Sequence, residues 1–127
     1  MPKTIRLKFH SKRHSDFDLL RIVRAQAQGF EAPVTAYLCS VCIQSSSAFG
    51  VVFGHTQRKR NRLFEDGHLV HTSRIVSARK EGRFWVLTTL DSRYVIATFL
   101  RDAGRRKFGH LLKALAQDEF TQQPILH

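Results

Sequence analysis

The sequence predicts an α+β fold with an N-terminal strand and two helices, then an antiparallel sheet of short strands and a C-terminal amphipathic helix. Three patterns predict it: apolar and polar residues alternate at 4–10, apolar positions then recur three or four residues apart, and short β-like runs begin near residue 50. The 127 residues are 43% hydrophobic, enough for a core without disulfides. We expect one domain over 1–127. Its two candidate parts are a strand-helix-helix unit at 3–47 and a β-rich unit with the C-terminal helix at 50–120.

The first predicted strand has one apolar face and one basic face. In "TIRLKFH" (4–10) the apolar side chains are Ile5, Leu7 and Phe9. Because successive side chains of a strand point to opposite faces, the polar face carries Thr4, Arg6 and Lys8. The strand therefore presents cations without burying them.

The segment "HSDFDLLRIVRAQAQG" predicts the first helix. Ser15 or Asp16 suits the N-cap, and Gly29 suits the position just after the helix. The 3- and 4-residue spacing of its apolar residues predicts a buried stripe, formed by Phe17, Leu20, Val23 and Ala27 and widened by Leu19 and Ile22.

The segment "FEAPVTAYLCSVCIQSSS" predicts the second helix. Pro33 suits its first helical position, and the serines at 45–47 suit its end. Its buried face would consist of Val34, Leu38, Val41 and Cys42.

The second half of the chain predicts a sheet and a last helix. The β-like runs are "FGVVFG", "HLVHTSRIVSARK", "RFWVLTTL" and "YVIATFL", the last two joined by a tight turn at 91–93. The final runs are apolar on both faces, which indicates a covered sheet. The last segment, "GRRKFGHLLKALAQDEF", predicts an amphipathic helix whose inward residues are Phe108, Leu111, Leu112 and Leu115.

Charge is the strongest indication of function. The chain has 21 Lys and Arg residues against 10 Asp and Glu residues, a net charge of +11. Such an excess repels itself in a compact fold and usually accompanies a polyanion, so DNA or RNA is the first candidate partner. The opening "MPKTIRLK" has no apolar run typical of a signal peptide, and no segment is apolar enough to span a membrane. We expect a cytoplasmic protein that does not bind membranes.

The order of a basic alternating strand and two helices in residues 3–47 resembles the ribbon-helix-helix DNA-binding unit of plasmid-partition proteins and repressors. The resemblance implies a homodimer whose paired first strands enter the major groove. It implies base contacts from Thr4, Arg6 and Lys8, and contacts to flanking phosphates from Lys12 and Arg13.

Two further basic runs and one aromatic residue are candidate nucleic-acid contacts. The run "RKRNR" contributes Arg58, Lys59, Arg60 and Arg62, and the start of the last helix contributes Arg105, Arg106 and Lys107. Phe84, Trp85, Tyr94 and Phe99 lie on adjacent predicted strands, either as sheet core or as a platform for unpaired bases. Tyr94, next to Arg93, is the candidate for base stacking.

The sequence offers little for metal binding or catalysis. Cys39 and Cys42 on a helix would share a buried face, whereas His68 and His71 on a strand would point to opposite faces, so we predict no metal and no cofactor. A metal-independent ribonuclease could draw on His10, His14 and His55, but no motif assembles them.

The sequence therefore predicts a small, basic, non-enzymatic nucleic-acid-binding protein, a repressor, partition or architectural factor of bacterial, phage or plasmid type. Its alternative is a protein-binding inhibitor from a mobile element, of the anti-defence or anti-CRISPR type, that blocks a nucleic-acid-handling enzyme. A small ribonuclease is the second alternative.

Overall fold

The fold is taken from a computed structural model, which describes the backbone of residues 15–122 and the side chains of residues 15–117. Helix α1 spans Asp16–Gln28 and helix α2 spans Gly104–Gln122. Between them lie six strands: β1 Ala36–Gln44, β2 Ser47–Phe53, β3 Leu69–His71, β4 Ser77–Glu81, β5 Phe84–Thr88 and β6 Arg93–Ile96. A short 3-10 helix, Arg62–Phe64, precedes β3.

The six strands form one mixed sheet in the order β3-β2-β1-β6-β5-β4. The central strands β1 and β6 are parallel, with Ala36 opposite Tyr94 and Leu38 opposite Ile96. All other neighbouring pairs are antiparallel. Each half of the sheet is thus a meander of three consecutive strands, and the two halves meet along the parallel pair.

The two helices cover opposite faces of the sheet. Leu38 packs in a cluster with Phe108 and Leu111 of α2, whereas its neighbour Cys39 packs in a cluster with Ile22 of α1. Adjacent residues of a strand point to opposite faces, so α1 and α2 must lie on different sides. The result is a three-layer arrangement in which the central strands are buried on both faces.

Helix α1 forms where the sequence predicts it, because its signals are local. Ser15 and Asp18 make a capping box, with the Asp18 N–H donating to Ser15 Oγ at 3.3 Å and the Ser15 N–H donating to Asp18 Oδ2 at 2.9 Å. Gly29, at φ 76°, follows the helix in a backbone conformation that favours glycine.

The face that α1 buries differs from the predicted one. Phe17, Leu20 and Val23 of the predicted stripe are 64%, 46% and 59% exposed. The helix packs Ile22 and Ala25 against the sheet, with Leu19 partly buried beside Ile22, so of the predicted stripe only the two widening residues, Leu19 and Ile22, face the core. Both stripes have helical spacing, so periodicity alone could not choose between them.

The predicted second helix is wrong, because residues 36–44 form strand β1. The segment is apolar at nearly every position, as expected of a central strand buried on both faces, and such a run also matches a helical pattern. A register irregularity between Cys39 and Cys42, with Ser40 at φ 53°, further obscures the alternation. The predicted fold class is therefore corrected: one helix precedes a six-stranded mixed sheet, and one helix follows it.

Helix α2 agrees with its prediction and lies close to the sheet at its first residue. Phe108 and Leu111 are buried, and Leu112 and Leu115 pack partly against them. A Cβ atom on Gly104 would lie only 2.9 Å from the carbonyl oxygen of Val41, so glycine allows this close approach of helix to strand. Among residues 15–122, no helix has the length and apolar character needed to cross a membrane.

The first predicted strand lies outside the described residues. Of the strand-helix-helix order on which the ribbon-helix-helix resemblance rests, the described residues contain one helix, α1, followed by a strand. The second helix of that unit is absent from residues 15–47, and we base no further proposal on the resemblance.

Candidate nucleic-acid interface

The basic loop, which we define as residues 55–62, is an ordered series of turns beside the first residues of β1. The Thr56 N–H donates to the carbonyl oxygen of Thr35 at 2.9 Å, which ties the loop to the sheet. Within the loop, the Arg58 N–H donates to the carbonyl of His55 at 3.1 Å, and the Asn61 N–H donates to that of Gln57 at 3.0 Å. This backbone pairing fixes the loop without using its cations.

The four cations of the basic loop all point to solvent. They are Arg58, Lys59, Arg60 and Arg62, each exposed. Arg58 Nη1 donates to the His55 carbonyl at 2.8 Å, which holds its guanidinium over the loop. Among the described side chains, none of these cations pairs with a carboxylate. The loop therefore presents uncompensated positive charge, as the sequence predicts for "RKRNR".

A cleft of about 410 Å³ opens beside the basic loop, at the end of the sheet where β1 and β6 begin. Its rings are His55, Phe64, His71 and Tyr94, and its one carboxylate is Asp91. Thr35, which also lines it, joins the surrounding segments: its N–H donates to the Arg93 carbonyl at 2.7 Å, and its Oγ1 accepts from the Arg93 N–H at 2.9 Å. The cleft is thus a preformed cavity with both apolar and polar walls.

His55 accepts a backbone hydrogen bond at Nδ1, an arrangement that favours the neutral ring with its hydrogen on Nε2. Its Nδ1 accepts a hydrogen bond from the Gln57 N–H at 2.9 Å, and its ring stacks on Phe64 with centroids 3.9 Å apart. Burial, and then the charge of Arg58, lower the pKa of His55. A neutral imidazole has one lone pair, and here that pair is occupied, so His55 offers the cleft a donor and no free base.

Tyr94 is the one predicted stacking residue that reaches the cleft. It lies on β6, packs half-buried against the same core cluster as Trp85 and Phe99, and in addition lines the cleft. The other three aromatic candidates are core residues: Phe84 is buried, and Trp85 and Phe99 contact Phe108 with centroids 5.0 and 5.2 Å apart. The broad aromatic platform is therefore absent from the described residues, and a single ring remains.

A second basic surface forms where β6 ends. We define the arginine cluster as Arg21, Arg24, Arg83 and Arg105. Arg21 Nε donates to the carbonyl of Ala97, the residue after β6, at 3.0 Å. Its guanidinium carbon lies 4.3 Å from the centre of the Phe84 ring, next to Arg83 in the chain.

Arg105 completes this cluster from the first turn of α2. Its guanidinium carbon lies 4.6 Å from the centre of the Phe99 ring, two residues beyond Ala97. Arginines from three separated parts of the chain thus lie near enough for the charges of Arg24, Arg83 and Arg105 to lower the pKa of Arg21. The basic loop and the arginine cluster lie at opposite ends of β6, separated along it by about 13 Å at 3.3 Å per residue.

The arginine cluster is a repulsive arrangement. The pKa of Arg21 is lowered by burial and then by the positive charges of Arg105, Arg24 and Arg83. Among the side chains of residues 15–117, no carboxylate forms an ion pair with any of the four. Aromatic rings and a backbone carbonyl hold the guanidinium groups instead, so their charge remains available to an external anion.

The carboxylates of this region serve a different pair of arginines. Glu81 accepts from Arg93 Nη2 at 2.9 Å, and Glu31 lies 3.5 Å from Arg79 Nη2. The N–H of Glu31 also donates to Glu81 Oε1 at 3.0 Å, and this bond, ahead of the contact with Arg93, lowers the pKa of Glu81. These carboxylates therefore neutralise the charges of Arg79 and Arg93 and leave the charges of the arginine cluster unpaired within residues 15–117.

The remaining predicted site residues fall into three groups. Arg106 is exposed beside Arg105 on α2. Lys107 turns away and lines a separate depression with His110. Five residues lie outside the described part of the chain: Thr4, Arg6, Lys8, Lys12 and Arg13.

Sequence reasoning missed three members of the arginine cluster. Arg21 and Arg24 lie off the predicted apolar stripe of α1, and Arg83 is a single cation at the β4–β5 turn. They are far apart in sequence from Arg105, so no local pattern could have joined them. The i, i+3 spacing of Arg21 and Arg24 on one helix was the only available signal.

The cysteines occupy β1 rather than a helix. Cys39 is fully buried, with Sγ 3.8 Å from the carbonyl oxygen of Asp18, and burial raises its pKa to about 12. Cys42 is half-buried. No group of three or more His, Cys, Asp or Glu residues suited to a metal ion occurs among the residues that the structure describes.

Comparisons with known proteins returned no relative. No protein-family model matches the chain, and neither a curated protein nor a solved structure is significantly similar to it. The two basic surfaces and the cleft are therefore the features that bear on function.

Proposed function

We propose that this protein binds nucleic acid through phosphate contacts and has no catalytic role. The observation that carries the proposal is the arginine cluster. Arg21, Arg83 and Arg105 come from three parts of the chain, the charges of Arg83 and Arg105 lower the pKa of Arg21, and no carboxylate among the described side chains pairs with any of them. Folding has to bring these like charges together, and a bound polyanion would offset their repulsion.

The basic loop supports the same function at the opposite end of β6. Its cations are exposed on a backbone that its own hydrogen bonds hold in place, so little backbone ordering is required on binding. Guanidinium groups pair with phosphate oxygens in a bidentate manner, which suits an arginine-rich surface to a sugar-phosphate backbone. The net charge of +11 adds long-range attraction for such a partner.

The ribonuclease alternative receives less support from the geometry. The lone pair of His55 is occupied by the Gln57 N–H, which disfavours it as a general base. His10 and His14, the other candidate catalytic residues, lie outside the described part of the chain.

A salt titration tests the proposal. Fluorescence anisotropy of short labelled DNA and RNA should show affinity that falls steeply between about 50 mM and about 200 mM salt, with a log–log slope near −0.9 for each neutralised duplex phosphate. Arg24→Ala combined with Arg83→Ala should weaken binding and flatten the slope by about one to two units. Arg79→Ala is the matched control, because Arg79 is exposed and already paired with Glu31.

The alternative function, a protein-binding inhibitor, has one observation in its favour. Phe17, Leu20 and Val23 form an exposed apolar stripe on α1, which is more typical of a protein contact than of a phosphate contact. If the affinity for both nucleic acids is weak and insensitive to salt, this alternative becomes the leading one.

One finer statement from the sequence, the cytoplasmic location, remains part of the proposal.

A further inference from the structure

We propose that the cleft beside the basic loop holds the base of one unpaired nucleotide, so that the preferred partner is single-stranded rather than duplex nucleic acid. This inference rests on the proposed function, because it names the kind of nucleic acid that the basic loop would contact. It adds a binding site formed by Tyr94, Asp91 and His55 to the phosphate contacts.

The cleft has the size and the walls that a base requires. Its volume of about 410 Å³ falls within the range of small-molecule sites. Tyr94 and Phe64 supply apolar ring surface, and stacking on such rings is the usual way in which proteins hold unpaired bases. A base in a duplex is already stacked on its neighbours and paired, so it cannot enter without unpairing.

The polar groups of the cleft match the edge of a base. The Asp91 carboxylate is exposed: its Oδ1 accepts from the hydroxyls of Thr89 and Ser92, and its Oδ2 is the acceptor offered to a base. The neutral His55 ring carries a donor on Nε2. Every nucleobase presents donors or acceptors at its Watson–Crick edge, and that edge is free only when the base is unpaired. An acceptor and a donor at one cleft can therefore hold a base that has left its helix.

The basic loop borders the cleft, so the phosphate of a nucleotide bound there would lie near the cations of the loop. Thr56 and Gln57 line the cleft, and Arg58 follows directly with its Nη1 bonded to the His55 carbonyl. A nucleotide with its base beside Tyr94 therefore has its sugar and phosphate next to the basic loop. This proximity links the two contacts, since one nucleotide can satisfy both.

The test compares one short oligonucleotide as a single strand and as a blunt duplex with its complement, by anisotropy at one salt concentration. We expect the single strand to bind about tenfold or more tightly. Tyr94→Leu should weaken single-strand binding about fivefold or more while leaving duplex binding unchanged, and Tyr94→Phe should retain most of the affinity. Arg60→Ala should weaken both forms alike, because it removes a phosphate contact only.

Two controls keep the outcomes distinct. Asp91→Ala, at an exposed turn, gives a second variant if Tyr94→Leu does not fold, and should also weaken single-strand binding selectively. Competition with free AMP, GMP, CMP and UMP shows whether a lone nucleotide fills the cleft or whether a strand is required. Equal affinity for both forms, or Tyr94 and Asp91 variants that bind like the parent, would overturn the cleft proposal. A loss of all salt-dependent binding would instead reject the proposed function.

Discussion

The guanidinium of Arg21 contacts both an aromatic ring and a backbone carbonyl: its carbon lies 4.3 Å from the centre of the Phe84 ring, and its Nε donates a hydrogen bond to the carbonyl oxygen of Ala97. This arrangement holds a half-buried cation without any carboxylate. It also fixes the position of the guanidinium group, because the ring and the carbonyl together hold the side chain in place. Arg21 is therefore the half-buried member of the arginine cluster, held by its own contacts, and Arg24, Arg83 and Arg105 are the exposed members.

Arg83→Ala should weaken nucleic-acid binding without lowering the stability of the fold. Arg83 is exposed, and its backbone N–H, not its guanidinium, donates to Gln28 Oε1 at 3.1 Å. Arg83→Ala keeps that bond and removes a positive charge that lowers the pKa of Arg21. We expect an unchanged or higher melting temperature together with weaker, less salt-dependent nucleic-acid binding. A variant that loses stability and keeps its affinity would contradict the role assigned to the arginine cluster.

The sequence predicted elements well where their signals are local. The capping box of Ser15 and Asp18, together with Gly29, fixes both ends of α1 within a few residues of chain. The centre of the buried face of α1 could not be predicted: Ile22 belongs to the edge of the predicted stripe, Ala25 lies outside it, and only the position of the sheet decides which side is buried. Local chemistry determines where a helix begins and ends, and tertiary packing determines which side is buried.

The central strand could not be predicted for the opposite reason. Leu38 and Cys39 face different helices, so β1 is apolar on both sides and shows no clear alternation. The candidate site was likewise predictable where its residues are consecutive and not where distant segments meet. The basic loop was found because its charges are consecutive, whereas the arginine cluster needs the sheet to bring Arg83 and Arg105 to Arg21.

Cys39 should be unreactive in the folded protein, in contrast to Cys42. Burial raises the pKa of Cys39 to about 12, so at about pH 8 only about one molecule in ten thousand carries the thiolate that alkylating reagents attack. Cys42 is half-buried and remains within reach of a reagent. Iodoacetamide labelling followed by peptide mass spectrometry should modify Cys42 first and Cys39 only in denaturant. Equal labelling of both under native conditions would disprove the buried position of Cys39.

Two glycines of α2 should respond to the same substitution with opposite signs. Gly104→Ala places a Cβ 2.9 Å from the Val41 carbonyl oxygen and 3.1 Å from Phe99 Cβ, so the helix or strand must shift, at a cost of about 1–3 kcal/mol. Gly109→Ala meets no atom within 4 Å and removes backbone entropy from the unfolded chain, which should stabilise by about 0.5–1 kcal/mol. Urea unfolding of both variants measures the two effects. A stabilised Gly104→Ala would mean that α2 does not approach β1 as closely as described.

His55 should make stability depend on pH in one direction. Burial and Arg58 hold its pKa in the folded protein below the ordinary value of 6.5, so between these two values the unfolded chain binds more protons. The stability contributed by the neutral ring is therefore complete above about pH 6.5 and is lost as the pH falls through the folded pKa. Urea unfolding of the parent and of His55→Gln from mildly alkaline to mildly acidic pH should show the parent losing more stability than the variant.

NMR of the ring nitrogens should place the hydrogen on Nε2 at neutral pH, because Nδ1 accepts from Gln57. Parallel pH curves for the two proteins, or a hydrogen on Nδ1, would remove the donor that His55 is proposed to offer the cleft.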